Sequence, residues 1–224
     1  MAKLNPIHEC PNRSLLKIDH IVIGASSLSA GKQELEPKLG VNLPMGGKHQ
    51  LVSTHNCVLQ SGNDTYLELI AIDPDAPTPS RRRWFSLDEE NTITRLAKRP
   101  RALTWVVSTD DLDKQVAESP IDLGEILDLS RDDLNWRLTV PHDGSLPEGG
   151  LIPSFISWPK GQSPAPRMAD HGLRLNRVTI THPDPNKLMD IMEALNIAHL
   201  ADIHKGEAGL WFSITSPKGD IVID

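Results

Sequence analysis

Residues 17–24 read Lys-Ile-Asp-His-Ile-Val-Ile-Gly, and three more short polar motifs follow them in the first third of the chain. The three motifs are Gly46-Gly47-Lys48-His49, Thr54-His55-Asn56 and Tyr66-Leu67-Glu68-Leu69. The alternating Ile and Val residues of the first stretch predict a β-strand. Because histidine and glutamate bind divalent metals or transfer protons, these motifs also indicate a candidate site.

The residues around this strand predict one structural unit. Ser27 is suited to cap a helix over residues 28–39, which Gly40 would end. Further strands are predicted at 48–54, 56–60 and 65–72. The resulting order is strand, helix, strand, strand, strand (βαβββ).

The same order starts again further along the chain. A strand at 102–107 is followed by a helix from Asp110 to Glu118 and by strands at 125–129, 136–140 and 154–158. A third start at 176–180 is followed by a helix at 185–195 and strands at 210–215 and 220–223. This third unit is one strand short of the pattern, so we expect it to be incomplete.

These repeats suggest a division of the chain. We expect an N-terminal extension (1–16), a two-module domain (17–159), a linker (160–172) and an incomplete third module packed on the domain (173–224). Within the domain, module one spans 17–73, a connector spans 74–101 and module two spans 102–159. The connector is rich in arginine and should hold a helix at 87–98. A solvated surface explains its charge more simply than an anion-binding role does.

Composition narrows the classes of function. The net charge of −7 argues against a nucleic-acid surface. No apolar run approaches the length of about 18 residues that a membrane span needs, and the N-terminus lacks the apolar core of a signal peptide, so a cytoplasmic protein is expected. Cys10 and Cys57 are too few for a disulfide framework, and we expect no disulfide.

Over residues 17–159 the motifs resemble the glyoxalase-like domain family of the vicinal oxygen chelate superfamily. Module two contributes Ser130-Arg131, Trp136-Arg137-Leu138 and the stretch 151–158 to this resemblance. The resemblance implies an α+β fold in which tandem βαβββ modules form cupped antiparallel sheets around a pocket, with helices outside. The C-terminal unit would add an incomplete βαββ module.

Strand alternation independently places side chains in the cup. If Leu67 and Leu69 face the helix at 28–39, then Tyr66, Glu68 and Ile70 face the cup. His20 can share this inner face with Ile18 and Val22. His20 and Glu68 would then converge, and we name them as candidate catalytic residues.

The resemblance implies metal ligands from the first and last strands of each module. These positions are His20 and Glu68 in module one, but Thr104 and Ser157 in module two, which are poor ligands for zinc or iron. A third ligand would have to come from His49 or His55. Two interpretations stay open: one divalent metal on His20, Glu68 and His49, or a metal-free pocket in which the same residues bind substrate or act as acid and base.

We expect further substrate contacts from His55, Asn56, Tyr66, Arg137 and Ser157. Arg137 suits an anionic group because its planar guanidinium can hold a carboxylate with two hydrogen bonds. Alternation adds a condition, since Arg137 faces outwards if Trp136 faces the cup.

The sequence therefore predicts a glyoxalase-like enzyme that acts on a small polar organic substrate, by lyase, isomerase or oxygenase chemistry with or without a metal. The alternative is a non-catalytic protein that binds or sequesters a small molecule. A third interpretation is a protein-interaction module that uses the basic connector. Pairing of modules between chains makes a homodimer a further expectation.

Overall fold

The computed structural model describes residues 16–224, which form twelve β-strands and four α-helices. Eight strands belong to one curved sheet and four to a second sheet. This confirms the predicted α+β class with tandem βαβββ modules. Cys10 lies outside the described residues, whereas Cys57 is a buried free thiol. None of the described helices has the length and apolar character needed to cross a membrane.

Module one has its elements in the predicted order. They are β1 (Lys17–Gly24), α1 (Leu28–Leu39), β2 (Met45–His49), β3 (Thr54–Gln60) and β4 (Tyr66–Ile72). The Ser27 hydroxyl caps α1 by accepting a hydrogen bond from the Ala30 N–H at 3.1 Å. Gly40 ends the helix in the left-handed conformation, with a φ of 73°.

One predicted strand of module one is wrong. Residues 48–54 were expected to form a strand, but β2 ends at His49 and a 3-10 turn at Gln50–Val52 separates it from β3. The chain reverses there because Ser53 adopts the left-handed conformation, with a φ of 51°. The reversal brings His49 back beside Thr54, the first residue of β3.

Module two repeats this order after the connector. The connector holds α2 (Glu90–Lys98), and module two consists of β5 (Arg101–Ser108), α3 (Leu112–Ala117), β6 (Glu125–Arg131), β7 (Leu134–Val140) and β8 (Ser154–Ser157). Asp111, rather than the expected Asp110, caps α3 by accepting from the Lys114 N–H. Helix α2 also begins three residues later than predicted.

The two modules are related by an approximate two-fold axis. The strand order of the large sheet is β2-β3-β4-β1-β5-β8-β7-β6, with the antiparallel pair β1–β5 at its centre. In each module the first strand pairs in parallel with the last. The central residue pairs are His20–Val106, Ile21–Trp105 and Val22–Thr104. This pattern makes Ile21 equivalent to Trp105 and His20 equivalent to Thr104.

A β-bulge interrupts β1 next to His20. Ile18 pairs with Val107 and His20 pairs with the next residue, Val106, so that Asp19 is an extra residue in the strand. Bulges of this kind redirect side chains and are common next to functional sites. Ile18 consequently packs on the helix side of the sheet, which contradicts its predicted place in the cup.

The C-terminal unit has one strand more than expected. It consists of β9 (Arg174–His182), α4 (Pro185–Ala194), β10 (Asp202–Lys205), β11 (Gly209–Ser216) and β12 (Gly219–Ile223). Its strand order is β10-β9-β11-β12, so the first strand pairs in parallel with the strand that follows the helix. The unit repeats the βαβββ order along the chain but not the sheet topology of modules one and two.

Two hydrophobic clusters lie on opposite faces of the large sheet. On the helix side, Leu67 and Leu69 are fully buried against α1, as predicted, and the same cluster continues into the C-terminal unit. Full burial of one leucine is worth about 1.5–3 kcal/mol. The second cluster lines the cup and includes Val22, Ile70 and Trp136. The cup therefore has an apolar base, and polar residues in it need specific partners.

Candidate functional site

The cup holds a partly open cavity of about 50 Å³ between the two modules. Its polar lining consists of His20, His49, Asn56, Tyr66, Glu68 and Arg131. Its aromatic lining consists of Trp84, Phe85, Trp136 and Trp158. Few proteins leave this many polar side chains in an apolar environment without a function.

Asp19, His20 and Glu68 form a line of buried polar groups, of which His20 and Glu68 line the cavity. Their exposed fractions are 2%, 5% and 5%. The His20 Nδ1 lies 2.7 Å from Asp19 Oδ1, and its Nε2 lies 3.7 Å from Glu68 Oε2. Because a carboxylate only accepts hydrogen bonds, Asp19 favours a proton on Nδ1 and turns Nε2 towards Glu68.

The second oxygen of Asp19 ties this line to module two. Asp19 Oδ2 accepts a hydrogen bond from the Trp158 indole N–H at 2.9 Å. The bulge in β1 makes this contact feasible, because it aims Asp19 as well as His20 into the cup. Asp19 thereby fixes the orientation of the His20 ring.

Asn56 connects Glu68 to His49. The Asn56 amide donates to Glu68 Oε1 at 2.6 Å and lies 3.5 Å from His49 Nε2. The His49 Nδ1 is 3.0 Å from the Thr54 hydroxyl. Burial against the aromatic wall lowers the pKa of His49 to about 4, the nearby Glu68 opposes this shift and Arg131 adds to it. His49 is therefore a neutral imidazole at pH 7.

Tyr66 packs flat on the imidazole of His20, with ring centroids 4.5 Å apart and an interplanar angle of 17°. Burial, together with the charges of Asp19 and Glu68, raises the pKa of Tyr66 well above its usual range. The phenol therefore stays protonated, and its ring restricts the movement of His20.

The opposite wall is aromatic and comes from three parts of the chain. Trp136 of β7 and Trp158, which follows β8, pack with ring centroids 5.6 Å apart. The connector adds Trp84 and Phe85. Met168, from the predicted linker, also lines the cavity. The polar line opposite this wall is itself buried, with His20 and Glu68 each 5% exposed, and burial strengthens electrostatic interactions.

The two glycines of the Gly46-Gly47 motif make room for polar side chains of the site. A Cβ atom on Gly46 would lie 2.3 Å from Asn56 Oδ1, and one on Gly47 would lie 2.7 Å from Cδ of Arg131. The Gly47 N–H also donates to Asn56 Oδ1 at 2.9 Å. The motif is therefore explained by the close approach of these side chains to the backbone.

The structure brings together five of the predicted site residues. His20, His49, Asn56, Tyr66 and Glu68 all line the cavity. His55 does not, because it lies on the other face of β3 with Nδ1 3.9 Å from Asp73. Burial lowers the pKa of His55, and Asp73 opposes this effect.

Arg137 and Ser157 also lie outside the cup. Arg137 faces away from it, as alternation predicted once Trp136 faces the cup, and both residues line a separate surface depression. The Arg137 guanidinium donates to both carboxylate oxygens of Asp113, at 2.7 and 3.0 Å. Its charge is therefore already paired.

The residues of the cup do not fit a divalent metal. Across residues 16–224, no group of three His, Cys, Asp or Glu side chains is arranged to hold an ion. His49 reaches Glu68 only through the Asn56 amide. In module two the equivalent of His20 is Thr104, whose hydroxyl donates to the Gly150 carbonyl at 3.3 Å.

The strand register also corrects the module-two position that was predicted to correspond to Glu68. Glu68 pairs with Val22, and the equivalent pair in module two is Ser154 with Val106. Ser154, not Ser157, is therefore the counterpart of Glu68. A hydroxyl is a weak ligand for zinc or iron, so the second module leaves the set of ligands incomplete.

Asp19 and Arg131 belong to the site but were not among the predicted site residues. The position of Asp19 depends on a bulge that alternation alone cannot predict. For Arg131 a signal was present: residues 132 and 133 form a two-residue hairpin, which pairs Arg131 with Leu134. Because paired residues share a face, a cup-facing Trp136 places Leu134 and Arg131 in the cup as well.

Comparison with known proteins gives a family and a fold. Residues 18–195 match the family described as the glyoxalase-like domain. No curated protein matches the sequence significantly. A hypothetical protein from Staphylococcus aureus is similar in structure, with a TM-score of 0.59 and 15% identity over 93% of this chain and 84% of that chain.

Two epimerases are less similar. The methylmalonyl-CoA epimerase of Streptomyces coelicolor has a TM-score of 0.44 and 18% identity over 67% of this chain and all of that chain. The epimerase of Mycobacterium tuberculosis has a TM-score of 0.42 and 14% identity over 67% of this chain and 92% of that chain.

Proposed function

The chain belongs to the glyoxalase-like domain family of the vicinal oxygen chelate superfamily, and on that premise we propose that it is an enzyme. The proposed reaction moves a proton to or from a carbon atom next to the carbonyl of a small polar organic substrate. One observation carries the proposal: the buried line Asp19–His20–Glu68 ends at a partly open cavity, which His20 and Glu68 line.

Glu68 acts as the general base in this proposal. Asn56 holds one carboxylate oxygen at 2.6 Å, so the second oxygen is presented at a fixed angle. A base in a fixed position contributes about 10²–10⁴-fold to a proton transfer. The aromatic wall keeps water from competing for the proton.

His20 assists at the carbonyl oxygen. With Nδ1–H donated to Asp19, the Nε2 atom faces the cavity and can carry a second proton. A protonated Nε2 donates to the oxygen on which negative charge develops when Glu68 removes the proton. No step of this mechanism uses a metal, because the cup residues do not fit one.

The second candidate function is non-catalytic binding of a small molecule. It is supported by the absence of ligand-type residues at Thr104 and Ser154 and by the aromatic wall, which suits a planar ligand. A binding protein would hold its ligand without exchanging protons with it. The same experiment therefore separates the two functions.

The test is proton exchange in D₂O, followed by NMR, with chelator-treated protein and pyruvate, hydroxyacetone and dihydroxyacetone as probes. We expect protein-dependent loss of the carbon-bound proton signal, and a decrease of about 10²–10⁴-fold in Glu68→Gln. The matched control is Glu34→Gln, because Glu34 lies on α1 and pairs with Lys38 far from the cup.

Three outcomes would contradict this proposal. Equal exchange in the wild type and Glu68→Gln would remove Glu68 from the reaction. Exchange that appears only when a divalent metal is added back would contradict the metal-free mechanism. Binding of a probe without exchange would support the non-catalytic function.

A further inference from the structure

Arg131 is a cavity residue whose charge is not used inside the protein. It is the last residue of β6, and its side chain lines the cup. Its Nε–H is buried and has no hydrogen-bond acceptor. Within residues 16–224 it forms no ion pair with a carboxylate, although a buried donor without a partner costs about 1–3 kcal/mol.

The carboxylates of the cup already have partners of their own. The two oxygens of Asp19 contact His20 and Trp158, while those of Glu68 face Asn56 and His20. None of these four oxygens needs Arg131. The positive charge of Arg131 is therefore available to a ligand.

The chain makes room for this arginine. Gly47 lies directly against the side chain, where a Cβ atom would come within 2.9 Å of its Cδ, Nε and Cζ atoms. A side chain at position 47 would compete with Arg131 for this space, so the glycine permits the position of the arginine at the cavity. Arg131 is also near enough to add to the lowered pKa of His49 and to oppose the raised pKa of Tyr66.

A second buried donor belongs to the same cavity. The indole N–H of Trp84 is buried without an acceptor, and the Trp84 ring lines the cup. The guanidinium of Arg131 would be satisfied by a ligand that carries oxygen acceptors and negative charge. A carboxylate provides both, and guanidinium groups bind it through two parallel hydrogen bonds.

We propose that Arg131 binds the carboxylate of the substrate, so that the substrate class is a small carboxylic acid anion. The cavity then has two functional sides: Arg131 holds the anionic end, and the Asp19–His20–Glu68 line meets the reacting carbon. The assignment of the reacting end rests on the proposed function above, whereas anion binding by Arg131 does not.

The test measures binding without turnover. Formate and pyruvate are the carboxylate probes, pyruvamide is the neutral analogue of pyruvate, and phosphate represents inorganic anions. Binding is followed by the fluorescence of the cavity tryptophans and by ¹⁵N NMR of the arginine Nε–H groups. The Arg131 signal is assigned by its absence in Arg131→Met, and Arg137→Met is the matched control because Arg137 is paired with Asp113 outside the cup.

We expect formate and pyruvate to shift the Nε–H signal of Arg131 in the wild type. Arg131→Met should weaken pyruvate binding by about 10- to 100-fold and pyruvamide binding by less than about 3-fold. Arg137→Met should leave both unchanged. Once the Arg131 signal is assigned, the NMR titration needs only the wild type. If Arg131→Met folds poorly, Arg131→Lys serves for the assignment instead.

The proposal is overturned if neither carboxylate shifts the Arg131 signal, or if Arg131→Met weakens pyruvate and pyruvamide equally. Tighter binding of phosphate than of formate would also contradict a carboxylate site. A further result is that the wild type shows no proton exchange while Glu68→Gln still binds formate. That result would refute the proposed reaction and leave the anion site intact. The two proposals can therefore fail separately.

Discussion

Modules one and two share a strand order and a two-fold relation, but they differ in chemistry. Module one supplies Asp19, His20 and Glu68. At the positions equivalent to His20 and Glu68, module two has Thr104 and Ser154. The shared backbone therefore decides where side chains point, and their identities decide which half of the cup can transfer a proton.

In the proposed function, module two contributes recognition in place of acid–base groups. It supplies Trp136, Trp158 and Arg131 to the cavity. Trp158 also donates to Asp19, so the aromatic half helps to orient the polar half. A site that spans both modules can be enclosed by the same sheet that positions it.

The largest expected effect comes from substituting the equivalent residues His20 and Thr104, each in its own variant. We expect His20→Asn to lower proton exchange by about 100-fold or more, because the general acid is lost while a polar side chain remains beside Asp19. Thr104→Val should instead cost about 1–3 kcal/mol of unfolding free energy, because the Gly150 carbonyl loses its donor. Exchange assays and urea unfolding measure the two effects.

The contrast between the modules predicts that the Thr104 substitution lowers stability without lowering proton exchange. Thr104→Val should keep exchange within about 3-fold of the wild type after correction for the folded fraction. A similar loss of exchange in both variants would show that module two takes part in the chemistry as directly as module one.

Much of this contrast could be predicted from the sequence. The order of elements, the helix over residues 28–39 and the inward direction of Tyr66 and Glu68 all follow from capping and alternation. The strand Asp202–Lys205 did not, because it is four residues long and follows a 3-10 turn at Ala198–Leu200. Short strands depend on their neighbours more than on local pattern.

The parts of the site that the sequence did not predict depend on register. The bulge that turns Asp19 inwards exists only when β1 pairs with β5. Likewise, the counterpart of Glu68 is Ser154 and not Ser157, because Ser154 is the residue of β8 that pairs with Val106. Pairing between distant strands is a tertiary property, and a one-residue shift moves every side chain to the other face.

The second prediction uses pH to sharpen the comparison, because the partly buried His49 lines the cup in module one, whereas His142 of module two is exposed. The folded pKa of His49 is about 4, below its ordinary value of 6.5. Between these values the unfolded chain binds more protons, so stability falls as the pH drops from 6.5 towards 4 and is fully retained above that range. This loss amounts to at most about 3 kcal/mol, and remaining contact with solvent reduces it.

His49→Gln should remove that part of the pH dependence. The measurement is urea unfolding of both proteins at several pH values between 7 and 4. The difference in stability between the wild type and His49→Gln should change across this range. Parallel curves for the wild type and His49→Gln would mean that His49 is not held neutral by burial.

The smallest expected effect tests whether the glycines of module one serve the site. In Gly46→Ala the new Cβ would lie 2.3 Å from Asn56 Oδ1, so we expect a loss of about 1–3 kcal/mol from overpacking. Gly62→Ala is the control, because its Cβ would find no atom closer than 3.5 Å and should change stability by no more than about 0.5 kcal/mol. Urea unfolding measures both.

A double variant identifies the cause of the Gly46→Ala effect. If the clash with Asn56 is responsible, Asn56→Ser should relieve it, and the combined change in unfolding free energy should be smaller than the sum of the two single changes. Additive changes would contradict this explanation. Because Asn56 is also the residue that holds Glu68, Gly46→Ala should lower proton exchange in the folded protein as well, which a backbone effect confined to β2 would not do.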